Sequence, residues 1–134
     1  MAFKYSVPLR NERLNRIPSF IGPTPTLRIR TGTPPLNVVT ADTGQVLSTI
    51  VLPTQWMQAA ANGSIQMNPP WADLSADLAG TAGHFRIYDM SEVCHLQGSV
   101  SILGGGGDMI LDNLVFLLGQ SFSVTAFTLT DGNA

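Results

Sequence analysis

Cysteine is almost missing from this chain: Cys94 is the only one among 134 residues, and a single thiol excludes an intramolecular disulfide framework. Charge is scarce as well. Charged residues make up 12%, about half the ~25% usual for a soluble domain. Long apolar runs are missing too. The run Leu114 to Leu118 is far short of the roughly 20 residues that span a bilayer as a helix. The first residues, MAFKYSVPLRNER, hold no apolar stretch and no small-residue cleavage pattern, so no secretory signal is expected. The expectation is a soluble protein made in the cytosol, with no membrane partner. A chain of this length buries roughly 68% of the surface its unfolded form exposes, enough for one core without disulfides or a metal.

The small net charge of −2 hides an asymmetry. Residues 1–30 hold Lys4, Arg10, Arg13, Arg16, Arg28 and Arg30 against Glu12 alone, a net of +5. The other residues hold Arg86 against eight acids, a net of −7. A basic arm on an acidic body marks an interaction segment. Residues 1–25 are therefore expected to be an extended N-terminal arm, with those six cations as its partner-binding side chains. Nucleic acid fits less well, because no aromatic side chain is interleaved with the arginines as a stacking platform. Within the arm, Pro8 suits the first turn of a short helix running to about Ile17. Pro18 is expected to end it, and Gly22, Pro23 and Pro25 to hold the chain extended.

From Thr26 onward the period shifts toward two. Leu27 and Ile29 alternate with Arg28 and Arg30, the mark of a half-buried strand. Val46 to Leu52 reads as a buried strand. Gln55 to Ala61 reads as one or two helical turns capped by Asn62-Gly63. Ser64 to Asn68 is a further short strand. In residues 81–112, Phe85 and Ile87 share one face, as do Cys94, Leu96, Val100 and Ile102. A hairpin centred between Ser91 and Glu92 pairs Asp89 with Cys94, Ile87 with Leu96, and Phe85 with Gly98. That register is preferred because a half-residue shift sets Arg86 against Leu96. A second hairpin around Gly104 to Gly107 pairs Ile102 with Met109 and Val100 with Leu111. The last strand, Phe122 to Thr130, changes apolar phase midway, which predicts a bulge or a crossing between sheets. Seven or eight strands separated by turns predict an all-β fold. The expected form is an antiparallel, jelly-roll-like β-sandwich over residues 26–134.

Catalytic patterns do not emerge. The run Gly104-Gly105-Gly106-Gly107 is followed by Asp108 rather than the Lys-Ser/Thr of a phosphate loop, so it reads as a hairpin tip. His84, Asp89, Cys94 and His95 do not converge on one strand face. Cys94 is expected to point inward, with His84, Tyr88 and His95 on an outer surface. Asp73 and Asp77 lack the oxygen-rich spacing of a calcium loop. There is no Gly-x-Ser-x-Gly nucleophile pattern. The expectation is no enzyme, no metal and no cofactor. Trp56 and Trp71, with Tyr88, leave a carbohydrate-binding sandwich as the rival of another class. Leu114, Val115, Phe116, Leu117 and Leu118 are the expected contact of a homo-oligomer, a dimer being favoured.

Several phrases of the chain are distinctive: Pro25-Thr26-Leu27-Arg28-Ile29-Arg30-Thr31-Gly32, Gly80-Thr81-Ala82-Gly83-His84-Phe85-Arg86-Ile87-Tyr88-Asp89, Cys94-His95-Leu96-Gln97-Gly98-Ser99-Val100, Gly105-Gly106-Gly107-Asp108-Met109 leading into Leu111-Asp112-Asn113, and Phe127-Thr128-Leu129-Thr130 before Gly132-Asn133-Ala134. Over residues 25–134 they resemble small virion structural proteins of tailed bacteriophages. The likeness is greatest to the head decoration, or cement, proteins of short-tailed phages. Leu114 to Leu118 and the stretch Arg10 to Pro18 depart from that pattern. The resemblance implies a jelly-roll-like sandwich, a place in the virion, and the major capsid protein as partner. A tail, collar or fibre-associated protein is the nearest alternative.

Overall fold

The computed structural model describes residues 3–131. The protein is mainly β with one N-terminal helix. Helix α1 spans Val7–Ile21. Ser6 caps it, its hydroxyl accepting the Leu9 N–H at 3.3 Å, and Pro8 lies in the first turn, where a missing N–H costs nothing. The short helix expected within the arm from Pro8 to about Ile17 is present, but it runs through Pro18 to Ile21 rather than ending there, and the segment packs on the sheet instead of extending from it. The last turn survives because packing outweighs the lost backbone bond. Ile21 is buried in the core, the Gly22 N–H donates to Pro18 O at 2.9 Å, and Trp56 Nε1 donates to Gly22 O at 3.1 Å.

Ten strands follow among the described residues: β1 Thr26–Arg30, β2 Val46–Val51, β3 Ser64–Gln66, β4 Ala72–Asp73, β5 Gly80–Thr81, β6 His84–Tyr88, β7 Cys94–Ser101, β8 Met109–Leu111, β9 Val115–Phe116 and β10 Phe122–Thr130. Seven of them form one row in the order β2-β1-β6-β7-β8-β10-β3, with β4 also on β10 and a separate pair β5-β9. The row curls into a half-barrel, so one mixed sheet stands where two facing antiparallel sheets of a jelly roll were expected. Strand β4 and the residues after it meet the outer edge of β2. The Ser48 hydroxyl donates to Asp73, and the Asp77 N–H donates to Leu47 O at 2.8 Å.

The β6–β7 register pairs Ile87 with Leu96 and Phe85 with Gly98, as expected, but Tyr88 rather than Asp89 faces Cys94. A bulge beside His95 absorbs the extra residue. The second expected hairpin does not form. Strand β8 runs parallel to β7, pairing Val100 with Met109 and Ser101 with Ile110. The glycine loop folds back on itself first: the Gly107 N–H reaches Ser101 Oγ at 2.9 Å, and Asp108 accepts the Ser99 N–H at 2.9 Å. The chain then leaves in the direction of β7. The predicted phase change in β10 is a bulge between Val124 and Ala126. Gln55 to Ala61 is extended rather than helical, bridging Met57 to Met67 and Ala61 to Ser64. Asn62 and Gly63, with φ of 53° and 76°, form the tight turn of that hairpin instead of a helix cap.

The core lies on one side of the sheet. Leu27, Ile29, Phe85, Ile87, Met109, Leu111, Val124 and Phe127 enter it from the strands. Trp56 and Trp71 complete it, each 1% exposed, with ring centroids 6.1 Å apart. Trp71 continues to Phe127 at 5.7 Å, and Phe127 to Phe85 at 5.4 Å.

Candidate interaction surface

Most of the basic residues of the N-terminal segment are spoken for within the fold. Arg10 Nε donates to Asp131 O, and Arg10 lies against Gly63, where a Cβ would strike the guanidinium at 2.2 Å. Arg13 pairs with Asp131 at 3.2 Å and stands over the Tyr5 ring at 4.6 Å. Arg28 pairs with Glu92 at 2.7 Å and covers the Tyr88 ring at 4.7 Å. Arg30 is buried and pairs with Asp42 at 3.0 Å, so it is no partner-binding side chain. Arg16 Nη1 bonds Ser19 Oγ at 3.3 Å and is exposed; Lys4 is exposed. The +5 and −7 halves thus neutralise one another in part across the helix–sheet and strand–loop contacts. The helix is further tied down by Asn11 Oδ1, accepting Gly63 N–H at 2.9 Å, and Asn15 Oδ1, accepting Ala60 N–H at 2.8 Å.

Strand β6 is buried at all five positions. Phe85 and Ile87 face the core. His84, Arg86 and Tyr88, expected on an outer surface, lie under the loop of residues 31–45. The Arg86 side chain is 2% exposed. Its guanidinium is paired with Asp42, bonds Asn37 O at 3.2 Å and Val38 O at 2.9 Å through Nη2, and meets Gln97 Oε1 at 3.1 Å through Nε. Gln97 Nε2 in turn donates to Pro35 O at 2.7 Å, and the Tyr88 hydroxyl donates to Asp42 at 2.6 Å. One buried fork therefore holds the loop by its backbone carbonyls. The loop lies so close that a Cβ on Gly83 would sit 2.1 Å from Gly32 O. This network was not foreseen. Nothing local in the sequence links residues 37–42 to β6.

His84 is fully buried. Its Nδ1 lies 2.9 Å from Gly32 O; a carbonyl only accepts, so Nδ1 carries the proton. Nε2 is left with no hydrogen-bond partner, as is Arg30 Nε on the cross-strand neighbour. Burial holds the His84 pKa below its ordinary 6.5, and the charges of Arg30 and Arg86 act the same way against Gly32 O and Asp42. For Asp42, burial alone would raise the pKa; the bonds from Tyr88 and Arg86 and the charge of Arg30 prevail and lower it. The signs agree. As pH falls through about 6.5, the unfolded chain takes up a proton at residue 84 before the folded chain does, and stability drops until the lower folded pKa is passed. The Asp42 contribution is lost at lower pH, below about 3.8. Melting temperature should therefore fall between pH 7 and pH 5, with a slope from His84 of at most ~1.4 kcal/mol per pH unit. His84→Gln should flatten it; an unchanged slope in the variant would show that His84 is not its source.

The remaining sequence candidates separate cleanly. Phe116 is buried, stacked on Phe122 at 4.4 Å, and so is not open to a partner; Leu114 is half-buried against the core. Val115, Leu117 and Leu118 are 58%, 64% and 73% exposed. Ala76 exchanges backbone bonds with Gly119 and Gln120, which brings Leu74 and Leu78, 85% and 44% exposed, alongside the same strip. Trp56, Trp71 and Tyr88 are all buried, so none offers a sugar a stacking face. Cys94 is buried, but opposite Tyr88 and beside the Arg86 and Asp42 side chains rather than in the core where it was expected, because the bulge at His95 turns it to the loop-covered face. His95 is paired with Asp89 at 2.9 Å. Among the described residues no group of three His, Cys, Asp or Glu could hold a metal, and no helix is long and apolar enough to cross a membrane. No family model, curated protein or solved structure matches the chain.

Proposed function

We propose that the chain is a structural component of a bacteriophage particle, seated on the capsid shell as a decoration or cement protein with the major capsid protein as its partner. The observation that carries this reading is the strip formed by Leu74, Leu78, Val115, Leu117 and Leu118, all of them exposed. Grouped apolar side chains of this size on a small domain mark a surface that a partner covers. The sequence resemblance supplies the identity of that partner. A low charge content agrees with a protein that spends its working life against a large neighbour.

Co-sedimentation with undecorated heads tests the reading. The intact chain should pellet with the heads. Leu117→Asp combined with Leu118→Asp should weaken binding at least ~10-fold, since a charge placed in a desolvated apolar contact has no partner there. Both side chains are exposed, so the variant should melt like the wild type. Binding to isolated tails but not to heads would move the assignment to a tail, collar or fibre-associated protein. Binding to neither would remove it.

A further inference from the structure

The loop of residues 31–45 covers one face of the sheet with little apolar hold on it. Of its side chains only that of Pro35 is buried. Polar contacts keep it down instead: Gly32 O on His84 Nδ1, Asn37 O and Val38 O on Arg86, Pro35 O on Gln97, and Asp42 on Arg30, Arg86 and Tyr88. Its base is closed, the Thr31 N–H donating to Gln45 O at 3.0 Å and the Gln45 N–H to Thr31 Oγ1 at 2.9 Å. A segment with so few buried apolar contacts opens at a smaller cost than the domain unfolds.

His84 lies under this cover among like charges. Arg30 is its cross-strand neighbour on β1, Arg86 follows two residues along β6 on the same face, and Ser99 is its neighbour on β7. The loop brings one carboxylate, Asp42, which already serves both guanidiniums. The other titratable groups on this face are Tyr88, Cys94 and Asp108, whose Oδ2 accepts the Ser99 N–H and hydroxyl. Burial holds the Tyr88 hydroxyl above its ordinary 10.0 and the Cys94 thiol above 9.0, so both stay neutral at pH 5–7. Asp42, against the effect of burial, is held below 3.8 by its bonds from Tyr88 and Arg86 and stays ionised there. A proton on His84 Nε2 would set a third cation against that one carboxylate. The new N–H would meet no acceptor, since Nε2 has no hydrogen-bond partner. A buried charge without a partner is costly.

We propose that His84 is an acid-sensitive latch: when it takes up a proton, the 31–45 loop lifts from the sheet face while the core stays folded. Lifting the loop gives the imidazolium water and leaves the aromatic core, on the other face of the sheet, in place. It also carries Asp42 away, so that His84, Arg30 and Arg86 stand as three cations on one uncovered face. The closed loop disfavours the charged ring, and the open ring titrates near its ordinary 6.5. Opening is therefore favoured as pH falls through about 6.5, by at most ~10-fold for each pH unit below it. The fall in melting temperature argued above belongs to the whole domain. The latch is a local opening well below the melting transition, and it requires no shell, so it stands or falls apart from the particle reading.

Thiol labelling of the full chain tests it. Cys94 is the only thiol; it is buried and lies with Arg86 beside residues 38–42 of the loop, so its reactivity reports the cover. A dipyridyl disulfide, which still reacts with thiols in acid, is applied at pH 7 and at pH 5, each rate being divided by that of the urea-unfolded chain at the same pH. On that scale the wild type should label about 10-fold faster at pH 5. The fluorescence of Trp56 and Trp71, both buried in the core, should keep its folded spectrum. His84→Gln should abolish the acceleration. His95→Gln removes the chain's other histidine and should keep it, which decides the matter alone if His84→Gln does not fold. Equal rates at the two pH values, an acceleration that persists in folded His84→Gln or is lost in His95→Gln, or a tryptophan spectrum that shifts together with the labelling would overturn the proposal.

Discussion

Arg86→Met should lower stability by about 3 kcal/mol, at the lower end of the loss seen when one partner of a buried ion pair is removed. The lower end applies because Asp42 is 39% exposed and keeps Arg30 and Tyr88 as partners. What the variant cannot replace is the set of donors to Asn37 O and Val38 O and the contact with Gln97. Arg86→Lys should recover less than half of the loss, since an ammonium cannot make the planar fork that serves several acceptors at once. Urea denaturation gives both numbers. Hydrogen exchange adds a local reading: amides of residues 37–45 should lose protection in Arg86→Met. A variant within about 0.5 kcal/mol of wild type would mean that the loop is held by something other than this network.

Removing residues 1–21 should lower the melting temperature by about 20 °C. Leu14 and Ile21 are buried in the core, and each buried aliphatic side chain contributes roughly 1.5–3 kcal/mol. The bonds from Asn11 and Asn15 to the backbone of Gly63 and Ala60 add about 0.5–1.5 kcal/mol each. A loss near 5 kcal/mol is a large part of the roughly 5–15 kcal/mol that holds a domain folded, and converts at about 2–8 °C per kcal/mol. An extended arm would be removable at no cost. A truncated chain that melts like the intact one would restore that picture. Leu14→Asp separates packing from truncation and should be nearly as damaging, because it buries a charge with no partner.

Sequence periodicity located what local rules govern. Thr26–Arg30 and Phe122–Thr130 were legible from alternation, and the match of Ile87 to Leu96 followed from keeping apolar faces together. The helix beyond Pro18 was not legible. Its last turn is held by Ile21 and Trp56, contacts distant in sequence that override a local breaker. Gln55 to Ala61 has helical composition, yet the turn at Asn62-Gly63 and the pairing with β3 set it extended. The parallel β8 was hidden because apolar matching cannot tell a hairpin from a loop that doubles back. The polar face of β6 looked like a solvent face. Its cover comes from a loop some 45 residues away, and alternation reports what faces the core, not what lies over the opposite side. The basic residues taught the same lesson: their clustering in the first 30 positions was visible, but their acidic partners Asp42, Glu92 and Asp131 come from three distant places.

The place proposed for the chain is the head of a virion, with the shell covering the Leu74–Leu118 strip. Gold labelling of this chain on purified particles, viewed by electron microscopy, tests it most directly. Label distributed over the head surface is the predicted result. Label confined to the tail, or particles that carry none of the chain, would contradict it.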